Sequence, residues 1–211
     1  KAAVNRIIET LKGIYPDGLC SLQYKKDYEL LFAVRLSAQC TDERVNKVTP
    51  ALYARFPTLE GFAEADPAEV GEYIHSCGFY NGKARDIVAC AQKLVNEYGG
   101  RVPGTMEELT GLPGVGRKTA NLILGDVFGQ PAYVCDTHCI RITGRLGTTD
   151  GAKDPLQVER QLRERIPPKE SNNFCHRMVL FGRDTCTARS PKCEGCPLAK
   201  DCDTAKAARR G

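Results

Sequence analysis

Apolar residues recur at every third or fourth position through most of the chain, and this spacing constrains the fold more than any other feature. The first such stretch contains Val4, Ile7, Ile8 and Leu11, which share one face of a helix because an α-helix turns once in about 3.6 residues. No stretch alternates apolar and polar residues for more than a few positions, as a half-buried strand would. The sequence therefore predicts an all-α protein of about ten short helices.

Residues that favour helix ends stand where this periodicity starts and stops. Asp66 precedes Pro67, which is the order of a capping residue and a proline in the first turn. Thr105 and Glu108 have the spacing of a capping box. Gly99 follows a periodic stretch directly and predicts the end of a helix.

The composition and hydropathy pattern argue against a membrane protein. The hydrophobic share is 42%, and no run of about 18 apolar residues is long enough to cross a bilayer. The first residues do not resemble a signal peptide. We therefore expect a cytoplasmic protein with no membrane partner. The net charge of +4 attracts a polyanion only where the cations are concentrated on one face.

Four of the eleven cysteines are clustered near the carboxyl end. Cys186, Cys193, Cys196 and Cys202 are separated by six, two and five residues. Four thiolates this close require a metal to offset their repulsion. Zinc and iron-sulfur clusters both use four cysteines, so the residues leave both open. The other seven have no framework spacing and suit reduced, packed thiols: Cys20, Cys40, Cys77, Cys90, Cys135, Cys139 and Cys175.

The segment LPGVGRKTAN, residues 112–121, joins two predicted helices through a turn that contains two glycines. Glycine allows the backbone amides to turn inward, and the amides at a helix start bind phosphate. A plain connection between helices also favours proline and glycine. The turn therefore predicts either an anion site or an ordinary helix-helix connection.

The segment LPGVGRKTAN, the aspartate of VCDTHCIRI and the four-cysteine spacing together resemble the endonuclease III family of helix-hairpin-helix DNA glycosylases. The resemblance implies a two-lobed all-α fold with a [4Fe-4S] cluster. One lobe would be a helical barrel at 20–130 that contains the hairpin at about 105–128. The other would join 1–19 to 131–211, with the cluster loop at 186–202. The flipped base would lie in the cleft between them.

This resemblance implies that Lys118 and Asp136 are catalytic and face each other across that cleft. An unprotonated amine attacks the sugar carbon and forms a Schiff base, and a carboxylate stabilises the developing positive charge. A helix start and Arg117 would both disfavour the lysine's own charge. From the residues alone, Lys118 also suits a phosphate contact and Asp136 a helix cap.

The resemblance also implies the residues that contact DNA. Gln39, in LSAQCTD, matches the residue that fills the gap left by a flipped base. Cys77 and Phe79, in SCGFYNGKA, match a second wedge, although family members often carry branched aliphatic residues at those two positions. The remaining implied contacts are Leu112, Gly114, Val115, Gly116, Arg117, His138, Arg189 and Lys192. The alternative for Gln39 is a buried polar cap, and the alternative for His138 is a core histidine.

The resemblance implies a bifunctional glycosylase and AP lyase that removes oxidised pyrimidines from damaged double-stranded DNA. A monomer is the default expectation, since no apolar stripe is left over. One alternative is a glycosylase of the same fold that acts on UV dimers or mismatches. Another is a non-catalytic iron-sulfur module that binds DNA, which would leave the Lys118 and Asp136 pair without a role.

Overall fold

The computed structural model describes residues 2–208, and every regular element in that range is helical. The all-α prediction is therefore confirmed, with twelve α-helices and two short 3-10 helices in the described range. The α-helices are α1 (Ala2–Ile14), α2 (Asp27–Ser37), α3 (Asp42–Arg55), α4 (Leu59–Ala63), α5 (Pro67–Ile74), α6 (Tyr80–Tyr98), α7 (Met106–Thr110), α8 (Arg117–Asp126), α9 (Thr137–Leu146), α10 (Pro155–Arg165), α11 (Ser171–Asp184) and α12 (Asp203–Ala208). The 3-10 helices are His75–Cys77 and Pro168–Glu170.

The helix ends follow the capping residues seen in the sequence. Asp66 accepts a hydrogen bond of 2.8 Å from the amide of Ala68, and Thr105 accepts one of 3.2 Å from the amide of Glu108. Gly99 ends α6 in the left-handed conformation, with φ of 59°. Each device satisfies backbone groups that a helix end leaves without a partner.

The chain divides into two compact units. The central unit is Cys20–Gly129. The terminal unit combines the described residues before Cys20 with those from Gln130 onward. Each unit has its own buried core.

The core of the central unit is built around Phe62, which is fully buried in α4. The rings of Phe32 and Phe56 lie 5.0 and 5.2 Å from it, and the ring of Tyr53 lies 6.2 Å away. Aromatic pairs at these separations add to the free energy gained from burial. This cluster joins helices α2, α3 and α4.

The terminal unit is centred on α11, which contacts both α1 and α9. Buried Arg177 of α11 donates to the carbonyl of Tyr15 at 3.0 Å and to that of Pro16 at 3.3 Å. It thereby satisfies carbonyls just beyond the carboxyl end of α1. The amino-terminal helix is in this way fixed to residues far along the chain.

Within residues 2–208, none of the eleven cysteines forms a disulfide. Among the seven scattered ones, Cys77, Cys90, Cys135, Cys139 and Cys175 are buried, which agrees with packed, reduced side chains. Within residues 2–208, none of the helices has the length and apolar character needed to cross a membrane.

Candidate active site and cysteine-lined cavity

The predicted hairpin is formed by α7 and α8 and the turn between them. Leu112 is 3% exposed and anchors the turn in the core of the central unit. Gly114 has φ of +73°, and a side chain there would lie 2.9 Å from Cβ of Asp86 and 3.0 Å from Nε of Arg35. Asp86 accepts a hydrogen bond of 2.7 Å from Arg35. This ion pair therefore supports the turn and leaves no room for a side chain at Gly114.

Helix α8 starts without a side-chain cap. Its N-cap residue is Gly116, so its first amides have no side-chain acceptor there and remain suited to an external one. Arg117 and Lys118 are both exposed in the first turn. The hairpin thus combines a helix start that favours anions with two cationic side chains, one of which is the candidate nucleophile.

Gly114→Ala is expected to destabilise the central unit by about 1–3 kcal/mol, because alanine is strained at positive φ and would press against the ion pair. Gly116→Ala is the matched control, since φ there is −96° and a Cβ would meet nothing within 4 Å. Thermal unfolding of the two variants measures the difference. Equal melting temperatures would contradict the role given to the ion pair.

Two candidate DNA-contacting residues share an unusual backbone conformation. Within residues 2–208, Gln39 and Phe79 are the only non-glycine residues with positive φ, at 54° and 47°. Both side chains are exposed, and that of Phe79 is 74% exposed. Such conformations cost about 1–3 kcal/mol and cluster at functional sites. The structure thus presents both residues at the surface and does not place Gln39 as a buried cap.

Cys77 does not project from the surface as the sequence led us to expect. Its side chain is only 2% exposed, and burial raises the pKa of its thiol to about 11, with a smaller contribution from a hydrogen bond to Cys40. A buried thiol is not available to enter a DNA base stack. The prediction of Cys77 as a DNA contact is therefore not supported by its position, whereas Phe79 remains accessible.

Asp136 is the N-cap of α9, and its Oδ1 accepts a hydrogen bond of 2.7 Å from the amide of Cys139. Its side chain is half-buried. The capping interpretation is therefore correct as local structure. It leaves a catalytic role open, because a cap occupies one carboxylate oxygen and the group keeps a second acceptor oxygen.

Helix α9 also holds the cysteine loop in place. Arg141 donates to Nδ1 of half-buried His138 at 3.1 Å and to the carbonyl of Cys186 at 2.9 Å. Arg145 donates to the carbonyls of Thr187 and Ala188 at 2.7 and 2.8 Å. No motif in the sequence pointed to either arginine. Their spacing of four residues places them on one face of α9, the helix that Asp136 caps.

Cys186, Cys193, Cys196 and Cys202 line one cavity of about 150 Å³. Its remaining walls are largely apolar and include Leu146, Phe181, Pro191 and Ala199. A single zinc ion would draw all four sulfurs to about 2.3 Å from one point. A cavity of this size, ringed by soft ligands, fits a polynuclear iron-sulfur group better than a single ion.

The exposure of the four cysteines differs. Cys193 is exposed and the other three are half-buried. Burial raises the pKa of the Cys196 thiol, and the neighbouring cysteines raise it further. Because a metal ligand must be a thiolate, a cationic centre is required to offset both effects. The basic candidates in the loop, Arg189 and Lys192, are exposed.

Arg145→Met is expected to weaken retention of the cluster, because it removes charge-assisted hydrogen bonds worth about 1.5–3 kcal/mol each. Arg189→Met removes an exposed cation from the same loop and should retain the cluster. Loss of the visible absorption on incubation with an iron chelator measures retention. Equal rates of loss in the two variants would show that Arg145 does not hold the loop.

Comparison with protein families agrees with this arrangement. The model of the HhH-GPD superfamily of base excision DNA repair proteins matches residues 32–168. A second model, the iron-sulfur binding domain of endonuclease III, matches residues 186–202. The fold and the hairpin are therefore those of a helix-hairpin-helix DNA repair protein.

Individual relatives extend this match over nearly the whole chain. The endonuclease III of Synechocystis is 48% identical over 98% of this chain and 94% of that protein. The enzyme of Escherichia coli is 38% identical over 96% of each. A trapped endonuclease III–DNA covalent intermediate is 41% identical, with a TM-score of 0.90 over 96% of this chain and 95% of that chain.

The chain therefore belongs to the endonuclease III family, whose members are base excision repair DNA glycosylases and AP lyases. It carries the [4Fe-4S] cluster of that family. These findings confirm the resemblance, the fold class and the cofactor predicted from the sequence.

Proposed function

We propose that this protein removes oxidised pyrimidines from duplex DNA and then cleaves the strand through a Schiff base on Lys118. The observation that carries the proposal is the exposed Lys118 amine in the first turn of α8, a helix that has no side-chain cap. Amides at such a start bind a DNA phosphate and so hold the sugar near the amine. A related endonuclease III has been trapped as a covalent intermediate with DNA, which supports an amine mechanism.

The proposed reaction has two stages. The unprotonated Nζ of Lys118 forms a bond to C1′ of the sugar while the bond between C1′ and the base breaks, and the departing base takes the proton that Nζ releases. The C1′–O4′ bond then breaks, O4′ takes a proton from solvent, and C1′ and Nζ are left joined as a protonated Schiff base. Loss of a proton from C2′ then expels the 3′ phosphate by β-elimination. No metal is needed for either stage.

In this proposal Asp136 supplies negative charge. Cleavage of the glycosidic bond develops positive charge on the sugar, and a fixed carboxylate stabilises that charge. The cap to Cys139 holds the carboxylate in one orientation. Orientation of a charged group before the reaction is what makes such stabilisation effective.

We propose that Gln39 and Phe79 fill the space left when the damaged nucleotide is turned out of the helix. Excision requires that extrusion, and the vacated space must be occupied. Apolar side chains unstack neighbouring bases by insertion, and Phe79 is an exposed, flat ring. Gln39 is exposed and polar, which suits hydrogen bonds to the base that remains.

The hairpin and the cysteine loop would supply contacts to the DNA backbone. We propose that the amides and side chains from Gly114 to Arg117 bind one phosphate region and that Arg189 and Lys192 bind another. Cations neutralise phosphates without reading the base sequence. His138, fixed by Arg141 to the loop, would orient this surface.

We further propose that Cys186, Cys193, Cys196 and Cys202 are the four ligands of the cluster. When bound, the cluster supplies a rigid centre for a loop that has little apolar core of its own. The central unit would then be the helical barrel domain and the terminal unit the iron-sulfur domain. The protein would act as a monomer on chromosomal DNA in the bacterial cytoplasm, as suits its bacterial relatives.

Borohydride trapping on three duplexes tests the proposed function. One duplex contains a thymine glycol, one an abasic site and one no damage. Trapping on the first two is expected, since base removal and the lyase step share the same amine. Trapping on the abasic duplex alone would show a lyase with a different lesion, and trapping on neither would favour a non-catalytic DNA-binding module.

A further inference from the structure

Lys83 is a buried cation in the first turn of α6. It is 1% exposed, although lysine is almost never fully buried without a partner. Its ammonium donates to the carbonyl of Leu36 at 2.8 Å and to that of Cys77 at 2.9 Å. Burial lowers the pKa of this amine. A cost of this kind calls for a structural reason, because burying a charge is unfavourable unless its hydrogen bonds are made.

The two carbonyls belong to the segments that carry the exposed left-handed residues. Leu36 lies near the carboxyl end of α2, shortly before Gln39. Cys77 ends a 3-10 helix, shortly before Phe79. One ammonium therefore joins two chain segments that are remote in sequence, each immediately ahead of a residue with positive φ.

Further contacts fix the same two segments. The amide of Lys83 donates to the carbonyl of Phe79 at 3.2 Å, and the amide of Cys40 donates to the carbonyl of Ser37 at 3.1 Å. The backbone of Lys83 thus holds the Phe79 residue itself, while the side chain holds the residues leading to it. Strained conformations persist only where the surroundings impose them, and these hydrogen bonds are such surroundings.

We infer that Lys83 is a positioning residue for extrusion of the damaged nucleotide: it sets the separation of Gln39 and Phe79 so that both side chains enter the same region of the base stack. The inference rests on the proposed function, since it assigns to Lys83 the geometry of the two inserting residues. Lysine suits the task because its ammonium has three donors and no acceptor. An apolar residue would fill the space and hold neither carbonyl.

The experiment uses a readout that does not depend on base removal. A duplex carries a non-cleavable tetrahydrofuran abasic site with 2-aminopurine beside it, and insertion changes the 2-aminopurine fluorescence. The holoprotein is compared with Lys83→Met and with Lys47→Met, at saturating concentration checked by anisotropy. Lys47 is an exposed lysine of the same unit that pairs with Glu43 at 2.7 Å, so its variant matches the loss of one charge.

In Lys83→Met the fluorescence change on binding is expected to be at least about fivefold smaller than in the wild-type protein. In Lys47→Met it is expected to be unchanged. Adding Phe79→Ala to Lys83→Met should reduce the fluorescence change little further, because the effects of substituting residues that act through one another are not additive. A defect in folding alone would lower the bound fraction and leave the two losses additive. An unchanged fluorescence signal in Lys83→Met, or additive losses, would overturn the inference.

A second variant covers the case in which Lys83→Met yields no folded holoprotein. Lys83→Gln keeps two N–H donors but is one atom too short to span both carbonyls, so the same loss is expected. Failure of the proposed function is separable from failure of this inference. A wild-type protein that changes the fluorescence but removes no base would refute the function alone, whereas one that removes the base and leaves the fluorescence unchanged would refute the inference alone.

Discussion

Lys118→Gln is expected to abolish borohydride trapping to DNA and to slow base removal by on the order of 10⁴-fold or more, as the loss of a nucleophile does in other covalent enzymes. Glutamine retains a polar side chain of similar length but has no amine that can form a Schiff base. Because Lys118 is exposed in the first turn of α8, the substitution should leave folding unchanged. Denaturing gels of the trapped complex and single-turnover rates measure both effects.

Arg117→Gln provides the matched control, because it removes a neighbouring exposed cation from the same helix start. This variant should bind DNA more weakly, with a salt dependence reduced by about one phosphate contact. It should still trap fully at saturating protein. If Lys118→Gln trapped as strongly as Arg117→Gln, another amine would be the nucleophile.

Much of the fold follows from local signals in the sequence. Asp66, Thr105 and Gly99 mark helix ends because their preferences depend on the backbone groups beside them and not on distant residues. Asp136 suited a helix cap, and it is the N-cap of α9, which runs from Thr137 to Leu146. Such elements are predictable because periodicity and caps indicate the same boundaries.

The details of the candidate site were less predictable from the sequence than the helices were. Gln39 and Phe79 adopt positive φ without being glycine, and only contacts from elsewhere in the fold impose that conformation. Lysine is rarely buried, so nothing in YNGKA identified Lys83 as a core residue. Cys77 stands beside an exposed residue in sequence but is itself buried, since a 3-10 turn directs neighbouring side chains in different directions.

For the cysteine loop, the spacing of the cysteines predicted a metal site but neither the type of metal group nor the residues that hold the loop. Spacing identified the four cysteines as a metal site, but donor types alone suit zinc as well as iron-sulfur. The cavity that they surround and the match over residues 186–202 favour the cluster. The arginines that hold the loop come from α9, which lies far from it in sequence, so no local pattern relates them to the cysteines.

The two candidate catalytic residues lie at the starts of two helices, one without a side-chain cap and one with a carboxylate cap. Gly116 begins α8 without a side-chain acceptor, whereas Asp136 begins α9 and supplies its own carboxylate. An uncapped start favours an anion from outside the protein. A start occupied by a carboxylate instead holds a fixed negative charge. The first design suits binding of a DNA phosphate and the second suits stabilisation of a cationic sugar.

Asp136→Asn separates the two interpretations of that carboxylate and is expected to slow base removal by about 10²–10³-fold. Asparagine is as good an N-cap as aspartate, so the bond to the amide of Cys139 and the stability of α9 should be kept. Only the negative charge is lost. Single-turnover rates and thermal unfolding, measured on one preparation, report the two properties separately.

Asp136→Ala is the matched comparison, because it removes the cap as well as the charge and should destabilise the protein by about 1 kcal/mol more than asparagine does. Both variants should be equally slow if the charge drives the reaction. If asparagine instead preserved the rate and alanine alone reduced it, Asp136 would act through the cap. The charge on the sugar would then have to be stabilised by another group.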